Sequence, residues 1–123
     1  MNRSKRVGDL GEKIALDCMT KRGFRHVCSN YHSRYGEIDI ICEDAKYIVF
    51  VEVKSRKKGT FCRGIEAVDR HKRLKIIKTA FDYLLKNSVE KQPRFDVVEV
   101  EFPTQKIVHY ENAFSGDEYS EFF

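Results

Sequence analysis

Proline is scarce in this chain: only Pro93 and Pro103 occur among 123 residues. No internal repeat, low-complexity tract or Pro-rich stretch interrupts it, so one domain spanning residues 1–123 is expected. No apolar run approaches the roughly 20 residues that a membrane-spanning helix needs, which argues against a membrane partner. The start, Met1 to Arg6, is basic and leads into no apolar segment. It reads as a short basic arm rather than an export signal, and the expected location is cytoplasmic. The four cysteines (Cys18, Cys28, Cys42, Cys62) include no close C-x-x-C pair of the kind zinc favours and are expected to be reduced thiols. His26, His32, His71 and His109 are scattered without ligand spacing and are expected on the surface or in a polar core. A glycine-rich phosphate loop and a Ser/His/Asp constellation are also missing.

Charge is abundant but unevenly placed. The net charge of +4 conceals a segment, residues 54–78, with ten Lys or Arg against two acids. From Phe95 onward there are seven acids and the single Lys106. A concentrated basic segment in an otherwise acidic chain is a candidate phosphate-binding surface; a solvated, lysine-rich helix face is the plain alternative. The end, Ser115 to Phe123, is acidic and aromatic, and reads as a tail that is either disordered or docked on a partner.

Periodicity predicts a first helix from about Val7 to Arg22, with Leu10, Ile14 and Cys18 on one side and Gly23 as a left-handed cap. Phe24 to Asn30 reads as a short strand. Gly36 to Ile41 and Ile48 to Lys54 read as two more strands, joined by the polar turn Glu43-Asp44-Ala45. Ser55 to Gly64, with two glycines, four cations and no period, is expected to be a mobile loop. A second helix is expected from about Asp69 to Asn87, with Leu74, Ile77, Phe81 and Leu84 as its apolar stripe and Lys72, Arg73, Lys75 and Lys78 facing solvent. Strands at 94–102 and 106–110 follow. The order αβββαββ predicts an α/β domain with a mixed sheet of about five strands flanked by helices.

The two central strands carry the chemistry. Side chains alternate along a strand, so Glu37 and Asp39 share one face, as do Glu52 and Lys54, while Val49, Val51 and Val53 point the other way into a core. If the strands pair as a hairpin, Asp39, Glu52 and Lys54 converge on one edge. Two carboxylates beside an ammonium suit a divalent metal and an activated water, as phosphodiester hydrolysis requires. The acid-x-lysine spacing by itself is weak evidence, since composition predicts roughly two such pairs by chance and two occur, Asp44-Ala45-Lys46 and Glu52-Val53-Lys54. Only the second lies inside an apolar β run, where a Glu and a Lys are costly to bury unless paired or bound to a metal. A surface ion pair on an exposed sheet face is the plain alternative.

Gly8-Asp9-Leu10-Gly11-Glu12, Asn30-Tyr31, Gly36-Glu37-Ile38-Asp39 and Phe50-Val51-Glu52-Val53-Lys54-Ser55-Arg56 occur in this order along the chain. They are followed by Lys72 with Lys75, by Arg94-Phe95-Asp96-Val97-Val98 and by Glu111-Asn112-Ala113-Phe114. Through these stretches the chain resembles the YraN family, small bacterial proteins expected to have a restriction-endonuclease-like fold. More distantly it resembles the archaeal Holliday-junction resolvases. The resemblance implies that Asp39 and Glu52 are the metal-binding acids of the PD-(D/E)-x-K nuclease motif and that Lys54 is its lysine. It also implies that Glu12 is the acid contributed by the first helix. Ile38 stands where the motif has its proline, and His32 where the family often has an arginine. Resolvase-like nucleases act as two-fold dimers, so a homodimer is implied as well.

The resulting expectation is a metal-dependent, structure-selective endonuclease. Asp39, Glu52 and the Val53 carbonyl would hold Mg²⁺ or Mn²⁺, Lys54 would orient the water, and Glu12 would position a water or a second ion. The plain reading of Glu12 is a first-turn acid favouring the helix N-terminus. Arg34, Arg56, Lys57, Lys58, Lys72, Arg73 and Lys75 would grip nucleic acid, DNA first, through its backbone. The runner-up is a nucleic-acid-binding or assembly module that keeps the fold without cleaving. A third reading is a scaffold that binds no nucleic acid.

Overall fold

The computed structural model describes residues 3–60 and 68–117. Its elements are α1 (Arg3–Lys21), β1 (Arg25–Ser33), β2 (Gly36–Glu43), β3 (Tyr47–Lys57), α2 (Arg70–Lys86), β4 (Gln92–Phe102) and β5 (Ile107–Phe114). The αβββαββ order and five-stranded mixed sheet are those expected. The strands lie in chain order, β1-β2-β3-β4-β5, antiparallel throughout except for β3 and β4, which run parallel through the α2 crossover. Such a parallel step needs a long connection, and a helix supplies it. No helix among the described residues is long and apolar enough to cross a membrane.

The two helices cover opposite faces of the sheet. Under α1, Ala15 and Met19 pack with Phe24, Ile40, Cys42, Val49, Val51, Val98 and Val100. Under α2, Ile76, Ile77, Ala80 and Tyr83 pack with Ile38, Ile41, Ile48, Phe50, Phe95, Val97 and Phe114. Phe50, Phe95 and Phe114 stack in a row across three strands, with centroids 5.5 and 5.1 Å apart. The β3 run from Ile48 to Val51 is buried on both faces, which is why it is continuously apolar rather than alternating.

Several boundaries differ from those the sequence predicts. α1 begins at Arg3, so the expected basic arm is largely helical; its polar first turn carries no apolar period to reveal it. The face that α1 buries is Gly11, Ala15 and Met19, while Leu10 is exposed. Small residues let the helix come close: a Cβ on Gly11 would stand 2.5 Å from Ser55 Oγ. On α2 the buried residues are Ile76, Ile77, Thr79, Ala80 and Tyr83; of the expected stripe Leu74, Ile77, Phe81 and Leu84, Ile77 is buried and Phe81 and Leu84 pack at the edge of the core. The expected helix ends, Asp69 and Asn87, are its caps. Asp69 accepts from the Lys72 N–H, and the Asn87 N–H donates to the Tyr83 carbonyl.

Ser55, Arg56 and Lys57, expected in a loop, continue β3 and pair with Val100, Glu101 and Phe102 of β4. The parallel ladder and the close approach of α1 override their polar, aperiodic composition. Lys58 to Thr60 of that expected loop form a turn, the Thr60 N–H donating to the Lys57 carbonyl, and 61–64 lie outside the described residues, as does 118–123 of the expected tail. β1 runs on to Ser33 and β5 to Phe114, both longer than expected. Gly23 has φ 97°, the left-handed cap that the sequence implies.

Candidate active site

The ladder between β2 and β3 stops at Ile40↔Val51. Beyond it the strands separate, and the gap is bridged by a side chain: the Val53 N–H donates to Asp39 Oδ2 at 2.8 Å. The alternation of β2 also fails here, because Ile38 packs under α2 with Ile41 whereas Ile40 packs under α1. On β1, Ser29 pairs with Ile40 and Tyr31 with Ile38, and the intervening Asn30 has φ 54°, a left-handed conformation that Asn tolerates better than most residues.

The opening becomes a cleft of about 180 Å³ lined by Gly36, Glu37, Asp39, Glu52, Lys72, Lys75 and Ile76. β2 supplies Glu37 and Asp39, β3 supplies Glu52, and the first turns of α2 supply both lysines. Glu52 is 5% exposed, yet its Oε1 is 2.7 Å from Lys72 Nζ and 3.7 Å from Lys54 Nζ. Asp39, Glu52 and Lys54, predicted to converge, are brought together.

Electrostatics mark the cleft. Burial and then repulsion from Glu52 push the Asp39 carboxyl up to about 7, against the stabilising Val53 N–H. Glu12 is also raised, by burial first and then by Glu37, Asp9 and Glu52, with Asn30 opposing. Burial lowers the Lys54 ammonium and Lys72 lowers it further, with Glu52 opposing. Burial also opposes the Lys72 ammonium, but its contacts with Glu52 and Lys54 and the attraction of Glu52 and Asp39 hold it above the ordinary lysine range.

Glu12 sits in the middle of α1, which has no acid in its first turn, so the cap explanation does not apply to it. It joins the acids through Asn30. With the amide nitrogen turned toward the two carboxylates, as their chemistry requires, Asn30 donates to Glu37 Oε1 at 3.0 Å and to Glu12 Oε1 at 3.3 Å. Asn30 and Glu37 are site residues that sequence reading passed over as candidates. The only signal for them was their place in the family-like stretches. Glu99 is a third: fully buried, it lies beside Lys54 in the β3–β4 register. Among the described residues no group of three or more His, Cys, Asp or Glu forms a metal cage by itself.

The basic residues do not form the single helix face expected. Lys72 turns inward to Glu52, and Arg73 Nη1 donates to the Val68 carbonyl at 2.9 Å, tying down the start of α2. Lys75 lines the cleft. Arg34 lies in the β1–β2 turn, its guanidinium over the Tyr35 ring at 4.9 Å, and Lys78 approaches the same ring at 5.9 Å. Gly36 brings that turn against α2, where a Cβ would meet Lys75 and Thr79 at 3.5 Å. Arg34, Lys75 and Lys78 therefore flank one side of the cleft. Lys57 and Lys58 are exposed at the end of β3, and Arg56 is half-buried. A more capacious groove, about 710 Å³, lies between the start of α1 and the end of β3, lined by Val7, Gly8, Ser55, Arg56, Lys57, Phe102 and Pro103, so Arg56 and Lys57 belong to it rather than to the acid cleft. The groove lacks acids, which are gathered in the smaller cleft.

A second polar cluster lies under α1. Asp96 is fully buried and accepts from Arg94 Nε and Nη2 at 2.9 and 2.8 Å, from His109 Nε2 at 2.7 Å and from the Asn112 N–H at 3.0 Å. The Arg94 guanidinium lies 5.0 Å from the rings of both Phe24 and Tyr47. His109, expected to be a surface or polar-core residue, belongs to this core.

These features define an α/β protein with an acid-and-lysine cleft where two neighbouring strands part. The chain belongs to the YraN family, described as uncharacterised protein family UPF0102, whose model matches residues 11–100. It is 43% identical over 112 residues to a UPF0102 protein of Clostridioides difficile, covering 90% of this chain and 98% of the relative. It is 41% identical over 116 residues to one from Caldanaerobacter subterraneus, covering 89% and 95%. A Legionella pneumophila UPF0102 protein is 39% identical over 111 residues, covering 89% and 94%.

Proposed function

We propose that this protein is a metal-dependent endonuclease that hydrolyses phosphodiester bonds in nucleic acid, with DNA of branched or junction structure as the preferred substrate. The observation that carries the reading is the meeting of Asp39 and Glu52, from two strands, in one cleft beneath the lysines of α2. Burial first and then Glu52 raise the Asp39 carboxyl to about 7, and a divalent cation would offset both by stabilising its charged form.

Asp39, Glu52 and the Val53 carbonyl would hold Mg²⁺ or Mn²⁺, with waters completing the shell as these ions prefer. Val53 suits the task because its N–H points toward Asp39. The carbonyl of a strand residue lies on the same side as its N–H, and the β2 ladder has already ended there. When bound, the ion would polarise a phosphodiester oxygen and make a coordinated water more acidic. Lys54 orients the attacking water and meets the negative charge that develops on the phosphate. Glu12, aligned through Asn30, positions a further water. Lys75 and Arg34 beside the cleft, with Arg56, Lys57 and Lys58 farther along β3, hold the backbone without reading sequence, which favours selection by shape. A homodimer would present two such clefts to a branched substrate.

The test is the full chain with Mg²⁺ or Mn²⁺ on branched, single-stranded and duplex DNA, and on RNA. Divalent-dependent cleavage is expected, reduced by roughly two orders of magnitude or more in Asp39→Ala and Glu52→Ala. Cleavage that survives both substitutions overturns the roles assigned. Binding that falls steeply with salt but never leads to turnover identifies a silent binding module instead, and no binding at all leaves a scaffold.

A further inference from the structure

Glu52 is buried, and its nearest cation comes from another element. Lys72 Nζ is 2.7 Å from Glu52 Oε1, whereas Lys54, on the same strand, stands at 3.7 Å. Lys72 lies in the first turn of α2, where Asp69 accepts its backbone N–H and so sets the start of the helix. Its ammonium also feels the attraction of Asp39. A monovalent cation is therefore seated among the very carboxylates proposed to hold a divalent one. The Lys72 side chain remains 43% exposed, so its flexible stem has solvent to swing into.

We propose that Lys72 is a built-in counter-ion that competes with the divalent metal for Glu52, closing on the carboxylate in the metal-free protein and released toward the nucleic-acid backbone when metal enters. This rests on the metal-site reading above and adds an order of events. A buried carboxylate stripped of its partner is strongly disfavoured, so the metal-free cleft needs the ammonium. A divalent ion on the same carboxylate would place like charges in contact, and the mobile one leaves. By linkage, whatever Lys72 contributes to the metal-free state is subtracted from metal affinity. Before metal arrives, the charge of Lys72 is engaged by Glu52 while Glu12, Glu37 and Asp39 repel phosphate. Afterwards an ammonium stands free at the cleft. Metal binds first and nucleic acid second.

The experiment is a titration of the full chain with Mn²⁺, following free ion by electron paramagnetic resonance, for the parent, Lys72→Met and Lys75→Met. Lys75→Met removes the same charge from the same cleft without touching Glu52, and so measures the background effect of charge. Lys72→Met is expected to bind Mn²⁺ roughly tenfold more tightly than the parent, and Lys75→Met no more than about threefold more tightly. Equal shifts in the two variants, or weaker binding in Lys72→Met, overturn the proposal while leaving the metal site standing. Absence of Mn²⁺ binding in all three proteins overturns the metal-site reading and this proposal with it. Nuclear magnetic resonance of the parent needs no substitution. The Lys72 ammonium signal should shift on saturation with diamagnetic Mg²⁺, and a signal unchanged by bound Mg²⁺ overturns the proposal independently.

Discussion

Asp39 Oδ2 accepts the Val53 N–H at 2.8 Å, so a side chain takes over from the backbone at the point where the β2–β3 ladder ends. The bond keeps the strands in register while allowing them to part, and it aims one carboxylate at the opening it creates. The same residue therefore shapes the cleft and lines it with a carboxylate.

That double duty makes the metal-free protein sensitive to pH in an unusual direction. The Asp39 carboxyl is raised from 3.8 to about 7, so the folded state holds a proton that the unfolded chain has released. Stability from this group falls as pH rises between those values and is flat above them. Asp39→Asn retains an acceptor for Val53 and removes the charge. Its stability advantage over the parent should grow from about pH 4 to pH 7 and reach roughly 1–3 kcal/mol at pH 8, read by urea unfolding without metal. An advantage independent of pH would show that Asp39 ionises normally.

Asp96 should behave in the opposite sense. Burial opposes its charge, but hydrogen bonds from His109, Arg94 and the Asn112 N–H outweigh that and hold its carboxyl below 3.8. Its contribution is complete above that value and is lost as acid protonates it in the fold. Asp96→Ala leaves Arg94 and His109 buried without their carboxylate and should cost about 3–5 kcal/mol. The loss should shrink at low pH. A loss under about 1 kcal/mol would mean that the cluster relaxes to water.

The approach of α1 to β3 is set by Gly11. A Cβ there meets Ser55 Oγ at 2.5 Å but leaves Val53 and Phe102 at ordinary distances of 3.8 and 3.9 Å. Gly11→Ala combined with Ser55→Ala should therefore recover the helix-propensity gain of about 0.5–1 kcal/mol. Gly11→Ala alone should fall short of that by the cost of turning the hydroxyl, and Gly11→Val should lose about 1–3 kcal/mol. A double-mutant cycle with no coupling between the two positions would place the helix farther from β3 than 2.5 Å implies.

How much of this was readable beforehand can be judged from particular residues. The run Ile48–Val51 announced a strand, though not that both its faces are covered, and Asp69 and Asn87 announced the limits of α2, because apolar period and capping chemistry are local properties. Asp39, Glu52 and Lys54 were legible as a group through alternation and the family-like stretches. Gly11 and Ala15 were not legible as a buried face, since the smallest side chains contribute least to an apolar period while permitting the closest packing. Ser55, Arg56 and Lys57 looked like a loop because their strand is imposed by a partner 45 residues away in the chain, Val100 to Phe102.

The sequence by itself determined the order of elements, the apolar strands and which residue types could carry chemistry, since these follow from propensity and period along a local stretch. Only the tertiary structure decided that Lys72 turns inward to Glu52, that Asn30 joins Glu12 to Glu37, and that Asp96 is enclosed by Arg94 and His109. The physical reason is that a charged side chain settles by competition between water and partners distant in sequence, and those partners exist only once the sheet and its two covering helices have closed around them.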